Sequence, residues 1–183
     1  MIRRIIKALQ NRFSKQSEIQ ALIDKGMTVG ENCAFFSTST IDSLWPWLIS
    51  FGNNVTVSTN VTILAHDASP NVVGLGTKLG KVRIGNNVFI GTGSIILCNT
   101  SIGDNVIIGA GSVVSGIVES NSVYYGVPAK KHCTLDEYKE RVKEIKKDCP
   151  DLGRIHKWNE WGNASAEEKK RMSDLLGDRC SFI

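Results

Sequence analysis

The sequence predicts a mainly β protein: one parallel β-helix of about four triangular coils, with a helical segment before it and a helical tail after it. Three observations carry this expectation. Residues 84–119 divide into six consecutive hexads, each opened by an aliphatic residue: Ile84, Ile90, Ile96, Ile102, Ile108 and Val114. A small or β-branched residue returns at every fifth place, as Val88, Ser94, Thr100, Val106, Ser112 and Val118. The repeat is interrupted only after multiples of three hexads, as a three-sided coil requires if one corner alone tolerates insertions.

The spacing has a physical basis. Places one and five of a hexad share parity, so both side chains can face the same side of a strand and enter a common core. The interior is narrow, which keeps the fifth place small. Gly, Asn and Asp gather where the chain bends, because they accept the left-handed conformations of tight turns. Six residues are too few for a helical repeat and do not fit a heptad seam.

Taken in order, residues 1–26 read as an amphipathic helix, with Ile2, Ile5, Ile6, Leu9 and Phe13 at helical spacing and Arg3, Arg4, Lys7 and Arg12 between them. Such a helix suits a peripheral contact with an anionic membrane, and equally suits covering the open end of the coil or a neighbouring subunit. The β-helix is expected over 27–131. Hexads run from Val29 to Pro46, from Phe51 to Ala68, and then through the central block. Trp45 breaks the small-residue rule, so the first coil is expected to swell or open there. Residues 69–83, rich in Gly and bearing Lys78 and Lys81, form a long loop of the kind that is usually functional. Residues 120–131 are expected to leave from the same edge as the insertions. In the tail, 132–183, Thr134-Leu-Asp-Glu137 and Ser165-Ala-Glu-Glu168 read as capping boxes opening two helices. Trp158 and Trp161 between them are expected to dock the tail.

Composition bounds the function. A chain of 183 residues with 42% hydrophobic content supports one domain with appendages. A formal charge of +4 suits an anionic small ligand and is too mild to argue for nucleic acid. Five scattered cysteines signal neither a disulfide framework nor a zinc site, and with no apolar signal segment they suggest a reducing, cytoplasmic setting.

Of three histidines only His66 lies inside the repeat, at a place expected to point out of the prism beside the long loop. A neutral imidazole there suits removal of a proton from a hydroxyl or amine. Asp67 takes a fifth place, where a carboxylate aimed into an apolar prism would be costly. Either the chain has turned outward, or Asp67 is hydrogen-bonded and orients an imidazole or binds substrate. Asp42, also at a corner, has the same standing. The exit segment Tyr124-Tyr-Gly-Val-Pro-Ala-Lys-Lys131 brings two cations to one place, suited to phosphate groups.

With the runs Ile84-Gly-Asn-Asn-Val-Phe-Ile-Gly91, Ile102-Gly-Asp-Asn-Val-Ile-Ile-Gly-Ala-Gly-Ser-Val-Val114 and Gly126-Val-Pro-Ala-Lys130, the sequence resembles the hexapeptide-repeat acyltransferases. Among them it is similar to the sugar O-acetyltransferases of galactosides, maltose and nodulation factors, over about residues 29–131. The resemblance implies a left-handed β-helix, an exception to the usual crossover hand, assembled as a homotrimer with acetyl-CoA between adjacent prisms and no metal. It implies His66 as the catalytic base, with coenzyme contacts at Thr92, Ala110, Ser115, Gly116 and Lys130. Phe89 stands where the galactoside enzymes place an indole, which keeps that wall aromatic without an N–H donor. Phe36 or Ser37 stands where those enzymes have an asparagine. His66-Asp67 replaces their His-Pro, closer to the branch that acetylates exopolysaccharide or lipopolysaccharide precursors. The implied reaction is direct acetyl transfer to a sugar hydroxyl on a polysaccharide or nucleotide-sugar precursor, with backbone donors near Thr92 steadying the oxyanion.

Alternatives follow from the same residues. An amino sugar or other small amine would use the same base. A non-catalytic β-helical scaffold predicts unbroken coils and no outward histidine. A γ-type carbonic anhydrase needs three histidines converging on a metal, and His132 and His156 fall outside the repeat.

Overall fold

The computed structural model describes residues 15–149, 165–178 and 180. Residues 1–14 of the expected N-terminal helix, together with His156, Trp158 and Trp161, lie outside the described residues. The described residues fall into two compact units that divide after Leu135.

The first unit is a triangular parallel β-helix, and its three sides are three sheets. The first side stacks β1 (Thr28–Val29), β4 (Ile49–Phe51), β9 (Val82–Ile84), β12 (Thr100–Ile102) and β15 (Ile117–Val118) in that order. The second stacks β2 (Ala34–Phe35), β5 (Thr56–Val57), β10 (Val88–Ile90), β13 (Val106–Ile108) and β16 (Ser122–Gly126). The third stacks β3 (Thr40–Ile41), β6 (Thr62–Ile63), β11 (Ile95–Ile96) and β14 (Val113–Val114). Two further strands pair antiparallel: β7 (His66–Asp67) with β8 (Lys78–Leu79), and β17 (Ala129–Thr134) with β16. The coil makes four full circuits and two sides of a fifth.

Register explains the repeat. Ile84 pairs with Phe51 below and Ile102 above, Ile90 with Val57 and Ile108, and Ile96 with Ile63 and Val114. These nine first-place side chains therefore stack in columns, each at most 3% exposed. The fifth-place hydroxyls of Ser39, Thr100, Ser112 and Ser122 are also buried, and each donates to the carbonyl three residues back, on Phe36, Leu97, Gly109 and Glu119. A hydroxyl fits the narrow core because it carries its own partner.

At the corner between the first and second sides, Asn32, Asn54, Asn87, Asn105 and Asn121 all take left-handed φ. Their amides form a ladder, each Nδ2 donating to the Oδ1 one coil on at 3.3, 3.0, 3.0 and 2.9 Å. The second-place glycines have another purpose than the expected one. Gly91 is not left-handed, but a Cβ on it would lie 2.5 Å from the Ala110 nitrogen, so it is there for close approach of successive coils. Asn87→Ala is expected to cost about 2 kcal/mol, from left-handed strain and two lost amide bonds. A lower urea midpoint at unchanged slope would register it.

Both insertions lie at the corner between the third and first sides, as the phase of the repeat requires: 42–48 after β3, and 64–81 after β6. Of the two outcomes expected at Trp45 the coil opens rather than swells: the chain leaves it at Asp42, and Trp45 belongs to the insertion. One expectation is corrected: residues 120–131 do not leave at that corner. A tight turn with Gly116 at φ 76° shortens the circuit, so that Val118 pairs with Ile102 and Ser122–Tyr124 registers on Val106–Ile108.

Residues 15–24 form helix α1, whose Ile19 and Leu22 join Met27, Ile41 and Ile49 in one buried cluster. Lys15 is buried and donates to the Ser39 carbonyl at 2.5 Å, fixing α1 to the first coil. The second unit contains α2 (Leu135–Lys147, whose first residue closes the first unit) and α3 (Ala166–Leu176). The expected capping box opens α3, with Ser165 and Glu168 exchanging bonds of 3.1 and 2.6 Å. Among the described residues no helix is long and apolar enough to cross a membrane.

Candidate active site

Ala65, fully buried, is the second residue of the long insertion, and the next residue, His66, begins the hairpin that the insertion makes with itself. β8 returns antiparallel, setting Leu79 opposite His66 and Lys78 opposite Asp67. This short ladder fixes the backbone of His66 at the rim of the corner.

Its imidazole is held by a residue from the preceding coil. Asp42 Oδ2 lies 2.5 Å from His66 Nδ1, and the Asp42 side chain is 1% exposed. The same carboxylate accepts from the Ala65 amide at 2.9 Å and the Leu44 amide at 3.0 Å. Burial opposes its charge, but the hydrogen bonds from His66, Ala65 and Leu44 outweigh burial and hold the carboxyl below the usual carboxylate range. An ionised carboxylate only accepts, so Nδ1 carries the hydrogen, and in the neutral ring the lone pair is then on Nε2. The histidine side chain is 28% exposed, leaving Nε2 as the ring nitrogen available to a ligand. On the ring itself sits Trp45, with centroids 4.6 Å apart and planes inclined by 53°.

His66 opens on a cleft of about 370 Å³ walled by Leu64, Leu97, Cys98 and Ser115, with Asp67 and Lys78 on the hairpin side. Asp67 does not turn to the imidazole. Its Oδ1 accepts the Ser69 amide at 2.9 Å, and that bond first of all keeps its carboxyl below the ordinary range. Asp67 thus starts the 3-10 turn Ser69–Val73, and of the two acids it is Asp42 that touches His66.

The remaining expected residues fall into groups. Ser115 and Gly116 lie at the corner of His66, and Ser115 lines its cleft. Thr92 and Ala110 lie at the next corner, between the second and third sides, stacked through the Gly111 amide on the Thr92 carbonyl at 2.8 Å. The third side separates these corners by roughly 15–20 Å of strand and turn. Phe89 projects from the second side, 44% exposed, and Lys130 is exposed on β17 opposite Tyr125. Sequence reasoning did not bring Trp45, Cys98 or Lys78 to His66. The stacking offset held a signal for Asp42: Ile41 pairs with Ile63, so Asp42 falls beside Leu64, two residues from the imidazole.

Comparison with known proteins agrees with this architecture. The family described as bacterial transferase hexapeptide (six repeats) matches residues 81–116. Protein CapG of Staphylococcus aureus is 37% identical over 153 residues, covering 78% of this chain and 84% of CapG. A Bacillus subtilis (strain 168) protein named "Putative acetyltransferase YvoF" is 34% identical over 118 residues, 64% of this chain and 66% of its own. Among solved structures, a galactoside acetyltransferase in complex with coenzyme A is 26% identical, with 62% of this chain and 67% of that chain covered and a TM-score of 0.48.

Proposed function

Because the chain belongs to the bacterial hexapeptide-repeat transferases, we propose that this acetyltransferase moves the acetyl group of acetyl-CoA to a hydroxyl of a sugar, with His66 as general base. The observation that carries this reading is the His66–Asp42 pair: an imidazole with Nδ1 tied at 2.5 Å to a buried carboxylate, and Nε2 left for the cleft.

Acetyl-CoA supplies an activated thioester carbonyl; the chain supplies the rest. Nε2 takes the acceptor proton as the hydroxyl oxygen bonds to that carbonyl. The resulting imidazolium is balanced by Asp42 and returns the proton to the departing sulfur, so the base is regenerated. This contribution is worth about a hundred- to ten-thousand-fold. Backbone donors near Thr92 steady the oxyanion. The apolar walls at Leu64 and Leu97 suit an acyl chain and its thioester, and Lys78 suits an acceptor that carries negative charge. A polysaccharide or nucleotide-sugar precursor has that character.

Thr92 and Ala110 stand on a different corner from His66, so one chain does not assemble the whole site. A homotrimer, with the His66 corner of one prism against the Thr92–Ala110 corner of the next, would complete it. Mixing His66→Ala chains with Ala110→Trp chains is then expected to restore about one quarter of wild-type turnover, the share of sites that random assembly leaves intact. Activity no higher than that of the two parents would sink the shared site. The acceptor is identified by thiol release from acetyl-CoA against sugars, nucleotide-sugars and amines. A sugar or nucleotide-sugar hydroxyl as the productive acceptor is expected, whereas release only with amines would overturn O-transfer.

A further inference from the structure

The segment 42–48 is unexplained by the coil. In the third circuit the same corner is turned by Leu97–Asn99 alone, without an insertion. Its added length places the Trp45 indole on the His66 ring, 4.6 Å between centroids. From this we propose that Trp45 is a positioning residue for the base, an inference that rests on the reading of His66 above.

Three features of the geometry argue for it. A single hydrogen bond to Nδ1 fixes one point of the imidazole and leaves the ring free to swing about that bond. A half-buried indole against the ring removes that swing and keeps Nε2 on the cleft. The segment is itself held to the site, because Asp42 binds the Leu44 amide with one oxygen and His66 Nδ1 with the other. Pro46 is buried and the Leu48 amide bonds the Trp45 carbonyl at 3.0 Å, so the indole rests on a closed turn. Finally, the ring gains positive charge when Nε2 takes the acceptor proton. An aromatic face within about 6 Å of a cation attracts it, so the indole favours the charged form that the reaction passes through. Indole has the strongest such face, and an aliphatic side chain has none.

The test compares Trp45→Phe, Trp45→Leu and Trp45→Met in the full chain, with thermal unfolding as the control for folding. Trp45→Leu is expected to lower kcat about five- to thirty-fold, with KM for acetyl-CoA and acceptor unchanged, while Trp45→Phe recovers most of the loss. Trp45→Met gives the same comparison if the Leu chain does not fold. Because the indole acts through the imidazole, Trp45→Leu in a His66→Ala background is expected to change nothing further. Wild-type kcat in Trp45→Leu beside an inert His66→Ala overturns the inference and leaves the base reading intact. An equal loss in the His66→Ala background also overturns it, since the indole would then act on the site without the imidazole. Full turnover in His66→Ala itself overturns the base reading, and this inference with it.

Discussion

His66→Ala is expected to lower kcat about a hundred- to ten-thousand-fold while acetyl-CoA binding persists. The size follows from the role: without Nε2 the acceptor hydroxyl must lose its proton to water, while the groups that seat the coenzyme stay in place. The fold should survive the change. Asp42 keeps the Ala65 and Leu44 amides as donors, so its buried carboxylate is not stranded. Steady-state kinetics and calorimetry with acetyl-CoA separate the two effects. A lost kcat with retained binding supports base catalysis, whereas turnover near wild type would show that the proton leaves by another route.

How much of this was legible in the sequence depends on which distances the repeat controls. First-place columns such as Phe51–Ile84–Ile102 follow directly from the hexad, because stacking one coil on the next needs only equal spacing. The corner that carries the insertions was legible for the same reason. The Gly residues were read as formers of left-handed turns, which holds at Gly93 and Gly111, whereas at Gly91 the limit is an approach between coils, which a single hexad does not display. The exit was misplaced because Ser115 and Gly116 turn in fewer residues than the other circuits use, and the phase beyond them shifts by two. At the site, His66 stood out as the one histidine in the repeat, and Asp42 ranked beside Asp67 with nothing in the sequence to choose between them. The contact with Asp42 spans 24 residues and falls where the chain has left the coil, so parity no longer says which way a side chain points. The same departure from the coil hid Trp45, which looked like an oversized core residue and is instead a neighbour of the imidazole.

Asp42→Asn is expected to be nearly as damaging as loss of the base, about a hundred-fold or more in kcat, since the corresponding change in a Ser-His-Asp triad costs about ten-thousand-fold. The carboxylate receives three donors: His66 Nδ1 and the Ala65 amide on Oδ2, and the Leu44 amide on Oδ1. An asparagine offers one acceptor and one donor, so a conflict arises in either orientation. With its NH2 toward Ala65 and His66, it opposes the Ala65 amide and selects the tautomer with the hydrogen on Nε2, which is no base. With its NH2 toward Leu44, the tautomer survives, but the 42–48 segment is released and the imidazolium loses its counter-charge. Both routes lower kcat and leave KM for acetyl-CoA near its wild-type value. The substitution also carries a pH signature. Because the folded carboxyl titrates below its ordinary value, the stability it contributes is complete above the unfolded pKa, about 3.9. That stability is lost as pH falls through the lower folded value. The urea-unfolding difference between wild type and Asp42→Asn is therefore expected to be largest near neutral pH and to shrink below about pH 4. A difference that stays constant into acid, or a variant with wild-type turnover, would show that Asp42 is not the ionised partner of His66.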